Sequence, residues 1–296
     1  MKIETLRTCT PEFLAYCKAH RREHDESFLD NESLSGFVPD VNNPTVVLRD
    51  DTGAMAGVAS LMVGDSYKKN KKGRFRVLHA QYPSAQAYAA LLNAVTAELT
   101  GIENMYLFVP EERKDVGKIL QQLGFTIERY AWILRRGRSV PLTGPSFPKG
   151  YRVERLRPGQ DELAWCDISN KAFAVFPWHT ELLPEMVVAS AESHEKLGGG
   201  LHMLWDNGTP IGILQIEAST DENKAEIGPI AILPGYQGTG LGRNLLRFGL
   251  EAAYAAGFET VELSVNGENG KAASLYLSEG FEKDTLMLCF NKYIGN

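Results

Sequence analysis

Two stretches of this 296-residue chain hold residues whose types and spacing suit chemistry. The first is Gln237-Gly-Thr-Gly-Leu-Gly-Arg243, set between a run of strand character and a run of helical character. Glycines there let the backbone approach a ligand closely. The first N–H groups of the following helix lack intrahelical partners and meet the positive end of the helix dipole. The arrangement suits a phosphate or pyrophosphate. It is not a P-loop, because no Gly-Lys-[Ser/Thr] follows, and it departs from G-x-G-x-x-G because position 243 is Arg. On the glycines alone, a plain strand-to-helix connection competes with the phosphate reading. The second stretch, His20-Arg-Arg-Glu-His24, matches H-x-x-E-H, in which two imidazoles one helical turn apart can share a metal. So short a pattern recurs by chance and reads better as a solvated, charged helix face. No metal is expected.

The elements that must position the glycine-rich turn follow from periodicity and turn residues. Tyr151–Leu156 reads as a strand, with helical spacing over 161–173 and 183–196. Leu201–Trp205 and Ile211–Ala218 read as a hairpin, because the intervening Asn207-Gly208 supplies the positive φ of a tight turn. A strand over 225–233 precedes the glycines, and a helix to about Ala256 follows them. Strand 259–265, helix 271–278 and strand 285–291 complete the order β-α-α-β-β-β-α-β-α-β. Upstream, Gly137–Gly150 holds three prolines and three glycines and reads as a linker. The halves on either side repeat at an offset of 156 residues: Gly101–Val109 lies over Gly257–Val265, Gly124-Phe125 over Gly280-Phe281, and Gln81 over Gln237. The expected organisation is a domain over 1–136, a linker over 137–150 and a second copy over 151–296. Each copy is an α/β unit of the α+β type, built on a mixed sheet.

Pro234, then Gln237-x-x-Gly240-x-Gly242 after the strand ending Ile230-Ala-Ile-Leu233, resembles the acetyl-coenzyme A signature of the GCN5-related N-acetyltransferase (GNAT) superfamily. Asn269-x-x-Ala272-x-x-Leu275-Tyr276-x-x-x-Gly280-Phe281 is similar to the second motif of the same superfamily. The resemblance covers 151–296, and the repeat extends the fold to 1–136, giving two tandem acyl-CoA N-acyltransferase folds. It implies that backbone groups near Ile230 and Ile232 pair with the pantetheine arm. It implies too that the N–H groups of Gly238, Thr239, Gly240, Leu241, Gly242 and Arg243, behind Gln237, hold the pyrophosphate. Asn269 would hydrogen-bond the cofactor arm, and Tyr276 would act as general acid toward the departing thiolate. The acceptor arrives as an ammonium and must lose a proton before attack. Glu226, eleven residues before Gln237, has the spacing of the catalytic glutamate in the histone-acetyltransferase branch, while other members use water chains. Arg243 and Lys271 flank the site and could help neutralise phosphates.

In the 156 register the first copy lacks this site. Gln81-Tyr-Pro-Ser-Ala-Gln86 lies beneath 237–242, so side chains replace all three glycines and Pro83 removes a donor. Arg113 stands at the place of Asn269 and Leu120 at that of Tyr276. The first copy is expected to keep the fold without the chemistry.

The rest is broader. Net charge is −6; residues 1–140 carry 19 basic and 17 acidic side chains, and 141–296 carry 12 and 20. The acidic second half is a poor nucleic-acid surface and favours a cationic partner. Lys68–Arg74 reads as a solvated hairpin tip. Aromatic residues in Phe173–Glu181, with Phe176, Trp178 and His179, offer an acceptor wall, and Glu181 or Glu185 an attraction for an amine. The four scattered cysteines, the lack of an apolar leader and the lack of a span of roughly 20 apolar residues suit a cytoplasmic protein off the membrane. The resulting expectation is a monomer or homodimer that transfers acetyl from acetyl-CoA to a primary amine of a small molecule or peptide, by direct attack in a ternary complex. The alternatives are a CoA-binding sensor or scaffold without turnover, and a transferase using another acyl or aminoacyl donor.

Overall fold

The computed structural model describes residues 1–20, 23, 36–97, 99–176, 179, 181–193, 200–219 and 223–295. They form two units. The first comprises 1–132, 266–268 and 285–296, and the second 133–265 and 269–284. The division in space therefore differs from the division along the sequence.

In the first unit the described elements are β1 (Lys2–Thr5), α1 (Pro11–Ala19), β2 (Thr45–Arg49), β3 (Met55–Met62), α2 (Asp65–Lys69), β4 (Lys72–Ala80), α3 (Ala85–Thr96), β5 (Asn104–Pro110) and α4 (Lys114–Gln122). They are followed by β6 (Thr126–Gly137), which passes into the second unit. The second unit continues with β7 (Tyr151–Arg155), α5 (Glu162–Phe173), α6 (Pro184–Ser193), β8 (Leu201–Asp206), β9 (Thr209–Ser219), β10 (Lys224–Ile232), α7 (Leu241–Ala255), β11 (Thr260–Asn266) and α8 (Gly270–Ser278). The chain then returns to the first unit through β12 (Glu282–Tyr293).

The sheet order is β1-β2-β3-β4-β5-β12 in the first unit and β7-β8-β9-β10-β11-β6 in the second. All paired neighbours with a resolved register are antiparallel except β4–β5 and β10–β11, which are parallel. The sixth strand of each sheet thus comes from the other half of the sequence. β12 runs beside β5 from Met287↔Pro110 to Tyr293↔Asn104. The offset of 156 residues holds for β5 and β11, for α4 and α8, and for β6 and β12.

The two exchanged strands carry matched cations. Arg136 of β6 is buried, and its guanidinium donates to the carbonyl of Glu279 (2.7 Å), the hydroxyl of Tyr254 (2.9 Å) and the carbonyls of Val140 and Pro141. Lys292 of β12, its counterpart in the repeat, donates to the carbonyl of Leu123. Glu279 and Leu123 are the C-caps of α8 and α4, so each cation satisfies a terminal carbonyl and faces the negative end of a helix dipole.

Local chemistry explains the elements nearest the cleft. Asn207 and Gly208 both have positive φ (43° and 94°), which lets β8 turn into β9 in two residues. In α7, Leu241, Leu245, Leu246, Gly249, Leu250, Ala253 and Tyr254 are buried at helical spacing. A Cβ on Gly249 would meet Leu214 at 3.2 Å and Ile227 at 3.3 Å, so glycine lets α7 lie close on β9 and β10. The opposite face of that sheet packs Trp165, Ile168, Val187, Met203, Ile213 and Ala231. Lys68–Arg74 is no hairpin tip. Lys68 and Lys69 end α2, Lys72–Arg74 open β4, and Lys71 pairs with Glu103 at 2.6 Å. Among the described residues no helix is long and apolar enough to cross a membrane.

Candidate active site

β10 has two neighbours for only part of its length. It pairs with β11 from Lys224↔Thr260 to Ile227↔Leu263, while pairing with β9 continues to Ile232↔Gly212 past an irregularity between Ile227 and Ile230. Pro229, within that irregularity, has no N–H to give a ladder. From Gly228 onward, one edge of β10 has left β11. The N–H of Leu233 points at β9, 2.8 Å from the carbonyl of Ile211. By the two-residue alternation of a strand, the backbone groups of Ile230 and Ile232 point the other way, into the gap. The Gln237 side chain already donates to the Ile232 carbonyl at 2.9 Å. An extended arm entering the gap would find the remaining groups as an added strand finds a sheet edge.

The gap leads to the connection between β10 and α7, residues 233–240. A short 3₁₀ turn, Pro234–Tyr236, starts it, and the Thr239 hydroxyl donates to the Tyr236 carbonyl at 2.7 Å. Gly238 (φ 78°) and Gly240 (φ 86°) are left-handed, which side-chain-bearing residues rarely adopt, and nothing lies within 4 Å of a Cβ placed on either. Gly240 is the N-cap of α7 and provides no side-chain acceptor. Among the described residues no acceptor meets the backbone N–H groups of Gly238, Thr239, Gly240, Leu241, Gly242 and Arg243. These N–H groups and the positive end of a 15-residue helix form a cradle for an anion. Two side chains are otherwise engaged. Gln237 braces the loop against β10, and Arg243 reaches Ser278 at 3.0 Å and pairs with Glu279, so only its N–H belongs to the cradle.

α8 carries the next two residues. Asn269 is its N-cap, and its Oδ1 accepts from the N–H of Ala272 at 3.2 Å. The oxygen therefore serves the helix, while the amide NH₂ has no hydrogen-bond partner among the described residues. Tyr276 lies seven residues on, two helical turns along the same side. It is buried, its ring meets Phe281 edge-on at 6.0 Å, and no hydrogen-bond partner for its hydroxyl occurs among the described residues. Burial pushes the phenol up to about 12, so the group remains a protonated donor across the neutral range.

Glu226 stands at the last-but-one rung before β10 leaves β11, directly across from Glu262 on one side and Glu217 on the other. Ile227 packs beneath α7, so Glu226 points to the face that carries α5 and α6. Glu262 is buried and pairs with Lys224 at 2.7 Å and with Arg135. Three carboxylates abreast were not legible from Glu226 alone, because the register that aligns them links residues far apart in sequence. In the 173–181 segment, Trp178 lies outside the described residues. His179 meets Phe173 at 6.1 Å and Asn170 Oδ1 at 3.1 Å, and burial holds its imidazole below the usual range. Asn170, which also binds both backbone groups of Leu182, is the organiser that sequence reading missed. Glu181, Glu185 and Lys271 are exposed.

The same positions of the first unit differ. Arg113 and Leu120 take the places of Asn269 and Tyr276, at the N-cap of α4 and fully buried in the core. The strand-to-helix connection is not a same-length loop with bulkier residues, however. It runs only from Gln81 to Ser84, four residues against eight, and Ser84 Oγ accepts from the N–H of Ala87.

Residues 162–281 match the model of the acetyltransferase (GNAT) family. A mycothiol acetyltransferase of Thermobispora bispora is 28% identical over 221 residues, covering 73% of this chain and 74% of that protein. One from Streptomyces avermitilis is 30% identical over 164 residues, 55% of this chain and 53% of that protein. Among solved structures, a tandem GNAT protein from the clavulanic acid biosynthesis pathway is similar with a TM-score of 0.76 at 14% identity, over 100% of this chain and 99% of that one. A GCN5-related N-acetyltransferase from Sphaerobacter thermophilus gives 0.74 at 18% identity, over 99% and 96%. Residues 162–281 therefore belong to the acetyltransferase (GNAT) family, and with two copies of one fold the chain is a tandem, acetyl-coenzyme A-dependent N-acetyltransferase.

Proposed function

We propose that the second unit transfers acetyl from acetyl-coenzyme A to the primary amine of a small molecule or peptide, by direct attack with both substrates bound. The observation that carries this is continuity: the open edge of β10 leads into six unpaired N–H groups at the start of α7. An extended polar arm ending in a pyrophosphate fits that path. Acetyl-CoA supplies the activated acetyl thioester. Ile230 and Ile232 hold the arm, the amide of Asn269 donates to it, and the N–H groups of 238–243 bind the pyrophosphate with the helix dipole behind them. Glu226 takes a proton from the acceptor ammonium, and the Tyr276 hydroxyl gives one to the departing thiolate sulfur. None of the four cysteines forms part of these elements, in keeping with direct transfer.

Glu217 and Glu226, side by side across the β9–β10 ladder, support a cationic acceptor; Glu262, already paired with Lys224 and Arg135, adds nothing to that attraction. The relatives named mycothiol acetyltransferases place a thiol-precursor amine in the panel to be tried. The test is release of free CoA thiol from acetyl-CoA in the presence of polyamines, aminoglycosides, peptide N-termini and thiol-precursor amines. Amine-dependent release carries the reading. Tight acetyl-CoA binding with no release for any amine replaces it with a CoA-binding sensor, and release only from longer acyl-CoA esters replaces the donor.

A further inference from the structure

In the first unit a polar cluster closes the place that corresponds to the open cleft. β4 pairs with β5 only from Lys72 to Arg74 and continues beside β3 to Ala80, so it too parts from its parallel neighbour. His79, near the end of β4, is buried. Its Nδ1 lies 2.7 Å from the hydroxyl of Tyr16 in α1, and its Nε2 lies 3.3 Å from Oε2 of Glu23. Oε1 of the same carboxylate lies 2.9 Å from Nδ1 of His20, the C-cap of α1. The two imidazole centroids lie 4.4 Å apart, with the ring planes tilted by 31°. Arg113, from the N-cap of α4, reaches Oε2 at 2.8 Å and Asp115 at 3.5 Å. Burial alone would raise the Glu23 carboxyl, but the bonds to His20 and His79 and the charge of Arg113 outweigh it and hold it down to about 2.

We propose that His20, Glu23 and His79 together ligate one divalent transition-metal ion of the zinc class. Their ligand atoms all lie within 4.8 Å of one another. Bonds of about 2.1 Å at tetrahedral angles need donor atoms about 3.4 Å apart; His20 and His79 now stand 2.9 and 3.3 Å from the two different oxygens of Glu23, so a small turn of the carboxylate would bring one oxygen between both nitrogens. Two imidazoles and one carboxylate are a donor set zinc favours, and three protein donors leave a position for water. A carboxylate facing two ring nitrogens needs a hydrogen or a cation in each gap, and a neutral tautomer of each ring can supply the hydrogen. Either each imidazole carries the proton, or one metal ion replaces both. The Tyr16 contact supplies the outer hydrogen bond that metal-binding histidines commonly have: with Nδ1–H directed at that hydroxyl, the Nε2 lone pair faces Glu23. Burial raises the Tyr16 phenol, so it stays neutral there. His20 and Glu23 belong to the H-x-x-E-H stretch expected to be a solvated face. His24 lies outside the described residues, and the third donor comes instead from His79, far along the sequence. The ion would clamp the end of α1 to the end of β4, and Arg113 would compete with it for Oε2.

The test uses the full chain without a histidine tag, stripped with a chelator and titrated with Co²⁺ by visible absorption and with Zn²⁺ against a chromophoric chelator. One equivalent should bind, with proton release and an affinity on the order of tenfold weaker per pH unit below neutrality. Glu23→Gln and His79→Asn should each cost about 100-fold, and Arg113→Gln should tighten binding. Melting by circular dichroism checks each fold. Should His79→Asn unfold, His20→Ala at the helix edge takes its place in the comparison. Absence of the cobalt band at millimolar Co²⁺, or binding that is equal in the parent chain and the Glu23 and His20 variants, overturns the proposal.

Discussion

Two strand-to-helix connections at equivalent places in the repeat have opposite characters. From β4 to α3 the chain spends four residues and caps the helix with Ser84; from β10 to α7 it spends eight, two of them left-handed glycines, and leaves the helix without a side-chain cap. A cap answers one of the orphan N–H groups from within the chain. A wide glycine loop presents them outward. The comparison teaches that one architecture yields a closed helix start or an anion cradle according to a few residues at that turn, with the sheet and helix otherwise retained.

The strongest way to break this contrast is Gly240→Val. A β-branched residue at φ 86° is strained, and its side chain stands in the cradle. Acetyl-CoA affinity by calorimetry should fall about 100-fold or more, a loss on the order of 3 kcal/mol; unchanged affinity would remove the cradle from the site. Next is Tyr276→Phe, which keeps the packing on Phe281 and removes only the hydroxyl. Turnover should drop on the order of 100-fold with little change in acetyl-CoA binding, the mark of a group acting in the chemical step. Equal kcat in both forms would return Tyr276 to the core. Glu226→Gln should slow turnover by roughly tenfold near neutral pH, and more as pH falls, because the acceptor then keeps its proton without a carboxylate to take it. A pH–rate profile parallel to that of the parent enzyme points to a water chain instead.

The smallest effects concern stability. Ser84→Ala removes a cap that no substrate uses, so urea unfolding should show a loss of about 1 kcal/mol while acetyl-CoA affinity stays the same. For Glu279, burial raises the carboxyl, but its bonds to Arg247 and Arg243 lower it overall. Its folded value lies below its unfolded one. The contribution is thus present above the unfolded value and lost as acid takes the pH down through the folded one. Urea midpoints between pH 6 and 3 should fall less steeply for Glu279→Gln than for the parent chain.

Much of this was legible because it is local. Asn207-Gly208, the glycines at 238–242 and the helical spacing of α7 each state their conformation within a few residues, and the element order of the second copy follows. The gapless register was partly misleading. It holds from α3 onward but hides the four residues missing before Ala85, since an offset of 156 that fits the helices does not fit β4 and β10. Nor does periodicity say which sheet a strand joins. β12 and β6 alternate as strands should, and only pairing with a strand far along the sequence gives each its place. The meeting of Tyr16, His79 and Arg113 is non-local in the same way.

The exchanged sixth strands bear on how the molecule is made. Asn104 of β5 waits for Tyr293, so the sheet of the first unit stays one strand short until most of the chain has left the ribosome. Pairing over such a separation carries a loop-closure cost and slows folding. The first half to be synthesised is therefore not the first to be finished, and the bare edge of β5 is a point of risk for mispairing with another nascent chain. A protease cut between residues 141 and 148, where the chain has no regular structure, would likewise not yield two whole domains, because each fragment would carry away a strand of the other's sheet.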